Sequence, residues 1–238
     1  MLPENGRVVI VAAHPDDETI GVGGVIGRFE DPIIVHVTGG APRGRQDREE
    51  YARTRRHELL RALELAGIGP ERTRELGVVD QEAALDLPGL ARRLTELLAE
   101  CRPRAVFTHP YEGGHPDHDA AAFAARAAER ELGFELYEFT SYHERDGELV
   151  TGEFLAWPGI EIETVLLPAE ARERKRRMLD CFATQWDILR HFRVECERFR
   201  RAPPYDFSRP PNNGVYWYDR FGWPITLIQG QATKPPIS

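Results

Sequence analysis

Over its first 142 residues, the chain alternates short apolar runs rich in β-branched residues with longer stretches that repeat apolar residues at helical spacing. The short runs predict strands, and the longer stretches predict helices. The predicted strands are residues 8–13, 33–37, 74–79, 105–108 and 135–142, and the predicted helices are residues 19–29, 47–66, 88–101 and 116–132. Strands that are apolar on both faces and separated by helices pack as a parallel sheet covered on both sides. We therefore expect an α/β fold with a mostly parallel sheet flanked by helices.

The rest of the chain lacks this alternation. In order, it predicts a β-hairpin or meander around Asp146-Gly147 at residues 143–167, one or two helices at residues 168–200, and a loop-rich tail at residues 202–238. The tail holds too many aromatic residues for a disordered segment, which favours its lying over the domain. We expect a single domain over residues 1–238, with residues 1–142 as its core and residues 143–238 as an extension that completes it.

Charge and cysteine content exclude several classes of protein. The chain has 31 basic and 39 acidic residues, a net charge of −8, whereas sequence-blind nucleic-acid binding needs a basic face. No run approaches the roughly 18 apolar residues that cross a bilayer, and the N-terminus shows no secretion signal. The three cysteines form no CxxC pair, which is typical of free thiols in a reducing compartment. The sequence predicts a cytoplasmic protein without a membrane span or a nucleic-acid partner.

Polar loops follow two of the predicted strands. The first loop, AHPDDE at residues 13–18, comes after the first strand, and the second loop, THPYEGGHPDHDA at residues 108–120, follows the fourth. In a doubly wound sheet, ligands bind at the carboxyl ends of the strands, near the point where strand order reverses. The first and fourth strands are usually neighbours at that point, so we expect the two loops to face each other.

Together the loops offer imidazoles and carboxylates, the ligands that a divalent metal accepts. His14 and Asp17 are three residues apart and can converge on one ion, with His118 as a third ligand from across the crevice. Asp16 would then remain free for proton transfer. His115 would sit beside a reacting carbonyl, where it could stabilise the oxyanion and protonate the leaving amine.

These segments also have alternative interpretations. The acidic residues of the first loop alone could cap a helix N-terminus. The GVGGVIG stretch at residues 21–27 suggests a dinucleotide-binding loop, but Ile26 stands where that fingerprint needs its third glycine. A nucleotide- or sugar-binding module that retains a metal without catalysis is a further alternative, and it would have no need of Asp16. His109, at the end of the fourth strand, could support the site or make a structural hydrogen bond.

The two loops resemble the motifs of the PIG-L/LmbE family of zinc-dependent de-N-acetylases, which carry AHPDDE after the first strand and HPDH about a hundred residues later. Weaker similarities are VTGGAPRG at residues 37–44, Arg55-x-x-Glu58-Leu59, and KRRMLDCFATQ at residues 175–185. The resemblance covers roughly residues 7–190. Gly39 departs from it, because an aspartate is common at that position in the family.

The resemblance implies a Rossmann-like fold and an enzyme that removes the N-acetyl group from an N-acetylglucosamine-type sugar or sugar conjugate. It implies Zn²⁺, or another divalent transition metal, held by His14, Asp17 and His118. It also implies three catalytic residues: Asp16 as general base, His115 as electrostatic or acid partner, and Asp117 as the group that holds His115.

Three further residues are candidates for substrate contact: Arg43, Arg55 and Trp217. The tail also carries Trp223, and rings of this kind can stack on sugar faces. The alternatives are that Arg43 is a solvated loop arginine and that the tail rings cover the core or a subunit interface. The expected partner is a small N-acetylated sugar conjugate, and a homo-oligomer is left open.

Overall fold

A computed structural model describes residues 2–3 and 5–221, and it is built around one large sheet. The seven strands of this sheet lie in the order β3-β2-β1-β4-β5-β9-β8. They are β1 (Val8–Ala12), β2 (Ile33–Pro42), β3 (Thr73–Asp80), β4 (Ala105–Thr108), β5 (Glu135–Phe139), β8 (Ile162–Leu166) and β9 (Cys196–Arg201). β1 to β5 pair in parallel, whereas β9 is antiparallel to both β5 and β8. The predicted α/β fold with a mostly parallel sheet is confirmed.

Helices cover both faces of this sheet. They are α1 (Asp17–Val22), α2 (Arg48–Leu65), α3 (Leu87–Cys101), α4 (Pro116–Leu132), α5 (Ala169–Leu179) and α6 (Trp186–Leu189). The core forms two clusters, one on each side of the sheet: α3 and α4 pack in the first, and α1, α2 and α5 pack in the second. This arrangement explains why every residue of β1 is buried and apolar, since helices exclude water from both of its faces.

The pairing of β1 with β4 places the two polar loops side by side. Val9 lies opposite Val106 in parallel register, so both strands deliver their carboxyl ends to the same edge of the sheet. β1 also pairs with β2 on its other side, which makes β1 the point where strand order reverses. The predicted contact between the loops therefore follows directly from strand order.

The first helix is shorter than the predicted span of residues 19–29. It begins at Asp17 and ends at Val22, and a short 3₁₀ turn follows at Ile26–Arg28. A Cβ atom at Gly21 would come within 2.3 Å of the Phe139 ring, so this glycine allows the helix to approach the sheet closely. After the helix, the backbone N–H groups of Gly24 and Val25 both donate to the buried carboxylate of Glu197.

The extension contains a strand where helix was predicted. Residues 168–200 hold α5 and α6, but the chain then enters β9, so the helical prediction is wrong for its last part. The physical reason is that β9 buries charged side chains, so its sequence lacks the run of apolar residues by which a buried strand is recognised. Glu197 and Arg200 are only 2% and 3% exposed, and each is paired with a buried partner of opposite charge.

The predicted hairpin is present and is detached from the large sheet. β6 (Tyr142–Arg145) and β7 (Glu148–Thr151) pair in antiparallel fashion around Asp146-Gly147. Both turn residues have positive φ, at 54° and 85°, as such a tight turn requires. The predicted strand at residues 135–142 is therefore two elements, because the chain leaves the sheet after Phe139.

Arg200 lies between two buried carboxylates. Its Nε donates to Glu138 Oε2 over 2.8 Å, and its Nη2 donates to Glu112 Oε1 over 2.9 Å. Because one cation serves two carboxylates, full ionisation leaves an excess buried negative charge. Burial raises the pKa of Glu138 from 4.5 to about 8, against the lowering effect of Arg200.

This cluster predicts a pH-dependent stability. Folding raises the pKa of Glu138, so its contribution to the free energy of unfolding is complete below about pH 4.5. That contribution is lost as pH rises through about 8. Between about pH 5 and about pH 9, wild type should lose more free energy of unfolding than Glu138→Gln, by on the order of 1 kcal/mol or more. Urea unfolding at several pH values measures this difference, and parallel curves for the two proteins would contradict it.

Two further features concern the helices and the cysteines. No helix within residues 2–3 and 5–221 is both long and apolar enough to cross a membrane. All three cysteines are free thiols, with Cys101 buried and Cys181 and Cys196 partly buried.

Candidate metal centre and its cavity

The first and second loops bring six predicted site residues to one buried place. His14, Asp16 and Asp17 come from the turn between β1 and α1, while His115, Asp117 and His118 come from the start of α4. None of these side chains is more than 8% exposed. Burying so many ionisable groups is costly unless they pair with each other or with a cation.

Asp17 lies between the two predicted imidazole ligands. Its Oδ2 is 3.2 Å from His14 Nδ1, and its Oδ1 is 3.3 Å from His118 Nε2. In the described part of the chain, three sets of potential ligand atoms lie within 4.8 Å of one another. The sets are His14, His115 and His118; His14, Asp80, His115 and Asp117; and Asp17, His109 and His118. The three predicted ligands are spread over these overlapping sets, and their assignment remains a prediction.

Two members of the cluster extend the predicted site. Asp80 was not predicted; it ends β3, and its Oδ1 is 3.2 Å from His14 Nε2. The signal that could have found it is its position, because β3 ends at the same edge as β1 and β4. His109 also belongs to the cluster: its Nε2 is 3.3 Å from Asp17 Oδ2, and its ring stacks on that of His118 at 3.9 Å.

The cluster favours a positive charge at its centre. Burial lowers the pKa of His14, but the carboxylates of Asp117, Asp17 and Asp80 outweigh this effect and raise it well above its ordinary value. For Asp17 the effects are reversed. Burial raises its pKa, but His118 and His109 outweigh burial and bring the pKa well below the usual range. Carboxylates that stabilise a cation in this way, beside nitrogen donors, match the ligand chemistry of zinc and related metals.

Asp16 is held in an unusual conformation beside these residues. Its φ is 135°, a region that favours glycine, so the surrounding contacts must hold it there. Arg55 Nη2 donates to Asp16 Oδ2 over 2.9 Å, and the Asp16 backbone N–H donates to Glu18 Oε2 over 3.1 Å. Glu18 is fully buried and is fixed in turn by His36 Nε2 at 3.0 Å. Burial raises the pKa of the Asp16 carboxyl well above its usual range, although Arg55 lowers it.

His115 immediately precedes α4 and caps it with its own ring. Its Nδ1 accepts from the Asp117 backbone N–H over 3.1 Å, which places the proton of the neutral ring on Nε2. Burial, together with the nearby charge of His14, lowers the pKa of His115 to about 3. The Asp117 carboxylate accepts from the backbone N–H groups of Gln81 and Ala83 and lies 3.1 Å from His14 Nε2. The Asp117 carboxylate thus contacts His14, whereas the contact with His115 is made by the Asp117 backbone N–H, and the role of Asp117 in holding His115 remains a prediction.

A cavity of about 400 Å³ opens above the cluster. Two of the predicted substrate contacts, Arg55 and Trp217, line it, whereas Arg43 is not among its lining residues. The Arg55 guanidinium is already bonded to Asp16, to Gly40 O and to Pro15 O. Arg43 instead makes an exposed ion pair with Glu82. These three roles remain predictions.

The tail reaches the cavity because it is tied to the second loop. The Trp217 backbone N–H donates to Gly113 O over 2.9 Å. Tyr218, which is 1% exposed, donates to Asp119 Oδ2 over 3.1 Å. Trp223 lies outside the described residues.

Comparison with known proteins identifies the family. Residues 9–166, more than half of the chain, match the model of the PIG-L family, described as GlcNAc-PI de-N-acetylase. Similar relatives are the 1D-myo-inositol 2-acetamido-2-deoxy-alpha-D-glucopyranoside deacetylases of Corynebacterium glutamicum and Nocardia farcinica. The first is 34% identical over 151 residues, 51% of this chain and 52% of the relative. The second is 31% identical over 173 residues, 58% of each. The chain thus spans about half the length of the curated relatives it matches.

Solved structures show the same fold. The N,N'-diacetylchitobiose deacetylase of Pyrococcus horikoshii is 22% identical, with a TM-score of 0.60 over 84% of this chain and 85% of that one. A deacetylase from teicoplanin biosynthesis, solved with teicoplanin, is 16% identical, with a TM-score of 0.65 over 84% of this chain and all of that one. The large, mostly parallel sheet, the two loops at its switch point and the family match lead to one conclusion: this chain belongs to the PIG-L family.

Proposed function

We propose that the protein is a metal-dependent hydrolase that removes the N-acetyl group from an N-acetylglucosamine-type sugar or sugar conjugate. The observation that carries this proposal is the buried contact of Asp17 with both His14 and His118, at 3.2 Å and 3.3 Å, beside a cavity that Asp16 and His115 also line. The deacetylase names of the relatives support the same reaction. A cytoplasmic location fits the three free thiols.

His14, Asp17 and His118 are the residues that would hold the metal, with zinc as the first choice and another divalent transition metal as the second. Three protein ligands from nitrogen and oxygen donors suit a catalytic zinc, which keeps a further position for water. When bound, the metal supplies Lewis acidity and a nucleophilic water at neutral pH. Asp80 and Asp117 both contact His14 and would orient its ring.

Asp16 would transfer the protons, and His115 would stabilise the charge that develops on the amide carbonyl. Arg55 holds Asp16 through Oδ2, so Oδ1 is the oxygen assigned to accept a proton from the attacking water. Burial raises the pKa of Asp16, which makes its carboxylate a stronger base toward the proton of the attacking water. His115, with its proton on Nε2, can donate a hydrogen bond to the oxyanion that develops on the amide carbonyl. The water oxygen ends in acetate, and the proton held by Asp16 passes to the departing amine.

The second candidate function is a binding module that retains a metal. The buried placement of Asp16 argues against it, because a metal-binding module gains nothing from holding a fourth acidic side chain at φ 135°. A panel of N-acetylated sugars, assayed for release of free amine and acetate, separates the two functions. Release from at least one N-acetylglucosamine derivative supports the hydrolase, and binding without release supports the module.

His118→Ala should weaken metal binding strongly. Removing a ligand from a three-ligand site leaves the ion with Asp17 and His14 alone, and we expect zinc affinity to fall by about 100-fold or more. Elemental analysis after dialysis against limiting zinc should find about one ion per wild-type chain and far less in the variant. His57→Ala is the matched control, because His57 is exposed on α2. Full occupancy in His118→Ala would overturn the ligand assignment.

A further inference from the structure

The cavity above the metal centre has one polar and one apolar part. Its floor is formed by the buried histidines and carboxylates of the two loops. Five apolar lining residues lie toward its mouth, because each is partly or largely exposed, and they come from three separate segments. These residues, which we call the apolar wall, are Leu149, Ile188, Phe192, Trp217 and Phe221. Leu149 belongs to β7, Ile188 to α6, and Trp217 and Phe221 to the 3₁₀ helix of the tail.

The wall leaves large apolar surface in contact with water. Ile188 is 50% exposed and Phe221 is 53% exposed, yet both line the same cavity. Single exposed apolar residues are ordinary, but a group of them around a concave site marks a binding surface. These residues therefore suit a ligand group that gains free energy by leaving water.

Specific contacts hold the wall in place. Asn212 Nδ2 donates to Glu144 O over 2.9 Å and ties the tail to the hairpin. Thr151 Oγ1 donates to His191 O over 3.0 Å and ties the hairpin to the segment after α6. The Arg220 guanidinium lies 4.3 Å from the centre of the Trp217 ring. The three segments are thus connected to one another around the mouth, in addition to the tail's bonds to the second loop.

We propose that the wall binds an apolar aglycone, an alkyl or aryl group on the anomeric oxygen of the N-acetylated sugar, and that Phe192 and Trp217 are specificity-determining residues. This inference rests on the proposed function, because the acetamide must reach the metal centre at the floor. An acetyl group is small enough to remain at the floor, so the group that extends to the mouth is the one attached to the sugar. Gln185, Asp187 and His191 also line the cavity and offer partners for sugar hydroxyls.

The test compares two probes that differ only in the aglycone. Methyl and hexyl N-acetyl-β-D-glucosaminide are titrated calorimetrically into the zinc-loaded full chain, and kcat/KM for amine release is measured for each. Each buried methylene adds about fourfold to an association constant, so even partial burial of the hexyl chain should favour it by about tenfold or more. The preference should appear mainly in KM and in the binding constant, since both probes present the same amide.

Matched variants locate the effect. Phe192→Ala and Trp217→Ala should each leave the zinc content unchanged and remove most of the hexyl preference, measured as the ratio of kcat/KM for the hexyl glycoside to that for the methyl glycoside. Ile188→Asn is a second variant that should lower the hexyl preference. Because Ile188 is 50% exposed, we expect the polar side chain to leave folding unchanged. Trp186→Ala is the control, because Trp186 is 51% exposed on α6 but is not among the cavity-lining residues.

The outcomes separate this inference from the proposed function. Equal binding and equal kcat/KM for the two glycosides would overturn the apolar-aglycone assignment even if both release amine. A preference for N-hexanoylglucosamine over the hexyl glycoside would overturn it as well, by placing the acyl chain on the wall. If neither glycoside releases amine, the hydrolase proposal fails, while the calorimetric preference and its loss in Phe192→Ala still decide what the wall binds.

Discussion

Asp16→Asn is expected to lower kcat for amine release by on the order of 100-fold or more while leaving the zinc content of the protein unchanged. Asparagine has nearly the same shape, and its side-chain oxygen can still accept the hydrogen bond from Arg55 that now reaches Asp16 Oδ2. It cannot take up a proton from the attacking water at neutral pH. The expected signature is a loss in kcat with little change in KM, measured by steady-state kinetics on zinc-loaded protein.

Asp146→Asn provides the control for this substitution. Asp146 lies in the exposed turn of the hairpin at φ 54°, a conformation that asparagine also accepts, so its variant should match wild type in rate and stability. Wild-type activity in Asp16→Asn would remove the base from the proposed mechanism. Loss of zinc together with activity would instead make Asp16 a ligand.

Lys175→Met is expected to destabilise the protein by about 3–5 kcal/mol, because it leaves a buried carboxylate without its cation. Lys175 Nζ donates to Glu197 Oε1 over 2.6 Å and to Ile20 O over 2.7 Å, and the lysine is 1% exposed. Glu197 also accepts from the backbone N–H groups of Gly24 and Val25. The pair therefore fastens the end of α1 to α5 and β9. Urea unfolding with a constant m-value measures the loss.

Two further variants test the cause of this loss. The double variant Lys175→Met, Glu197→Gln removes both charges and should recover part of the stability lost in the single variant. Arg176→Met breaks the neighbouring ion pair with Glu173, whose side chains are 53% and 62% exposed, and should cost less than about 1 kcal/mol. A Lys175→Met protein as stable as Arg176→Met would show that the buried pair contributes no more than a surface pair.

The sequence could predict the core of the fold because its signals are local. β1 is a continuous apolar run, and α3 shows an apolar stripe at helical spacing, so each element could be recognised without its partners. The meeting of the two loops then follows from a general rule about strand ends. His14, Asp17 and His118 were brought together on that rule and on the family resemblance, and the structure places them in contact.

The remaining features depend on partners that are distant in sequence. The sequence of β9 is polar because its buried residues include charged ones. Their burial is explained by the contacts of Glu197 with Lys175 and of Arg200 with Glu138. Asp80 joins the site through a strand end that carries one acidic residue and no motif. The apolar wall draws on the hairpin, α6 and the tail, and no local pattern in any one of these segments indicates a shared cavity.

The most direct test of metal-dependent deacetylation is amine release by one protein sample taken through removal and return of its metal. Wild-type protein is assayed on an N-acetylglucosamine glycoside as purified, after chelation and dialysis, and after addition of about one equivalent of zinc. The account predicts that chelation abolishes release and that zinc restores it, while His118→Ala stays inactive at the same zinc concentration. Full activity in protein shown by elemental analysis to be free of metal would contradict the account.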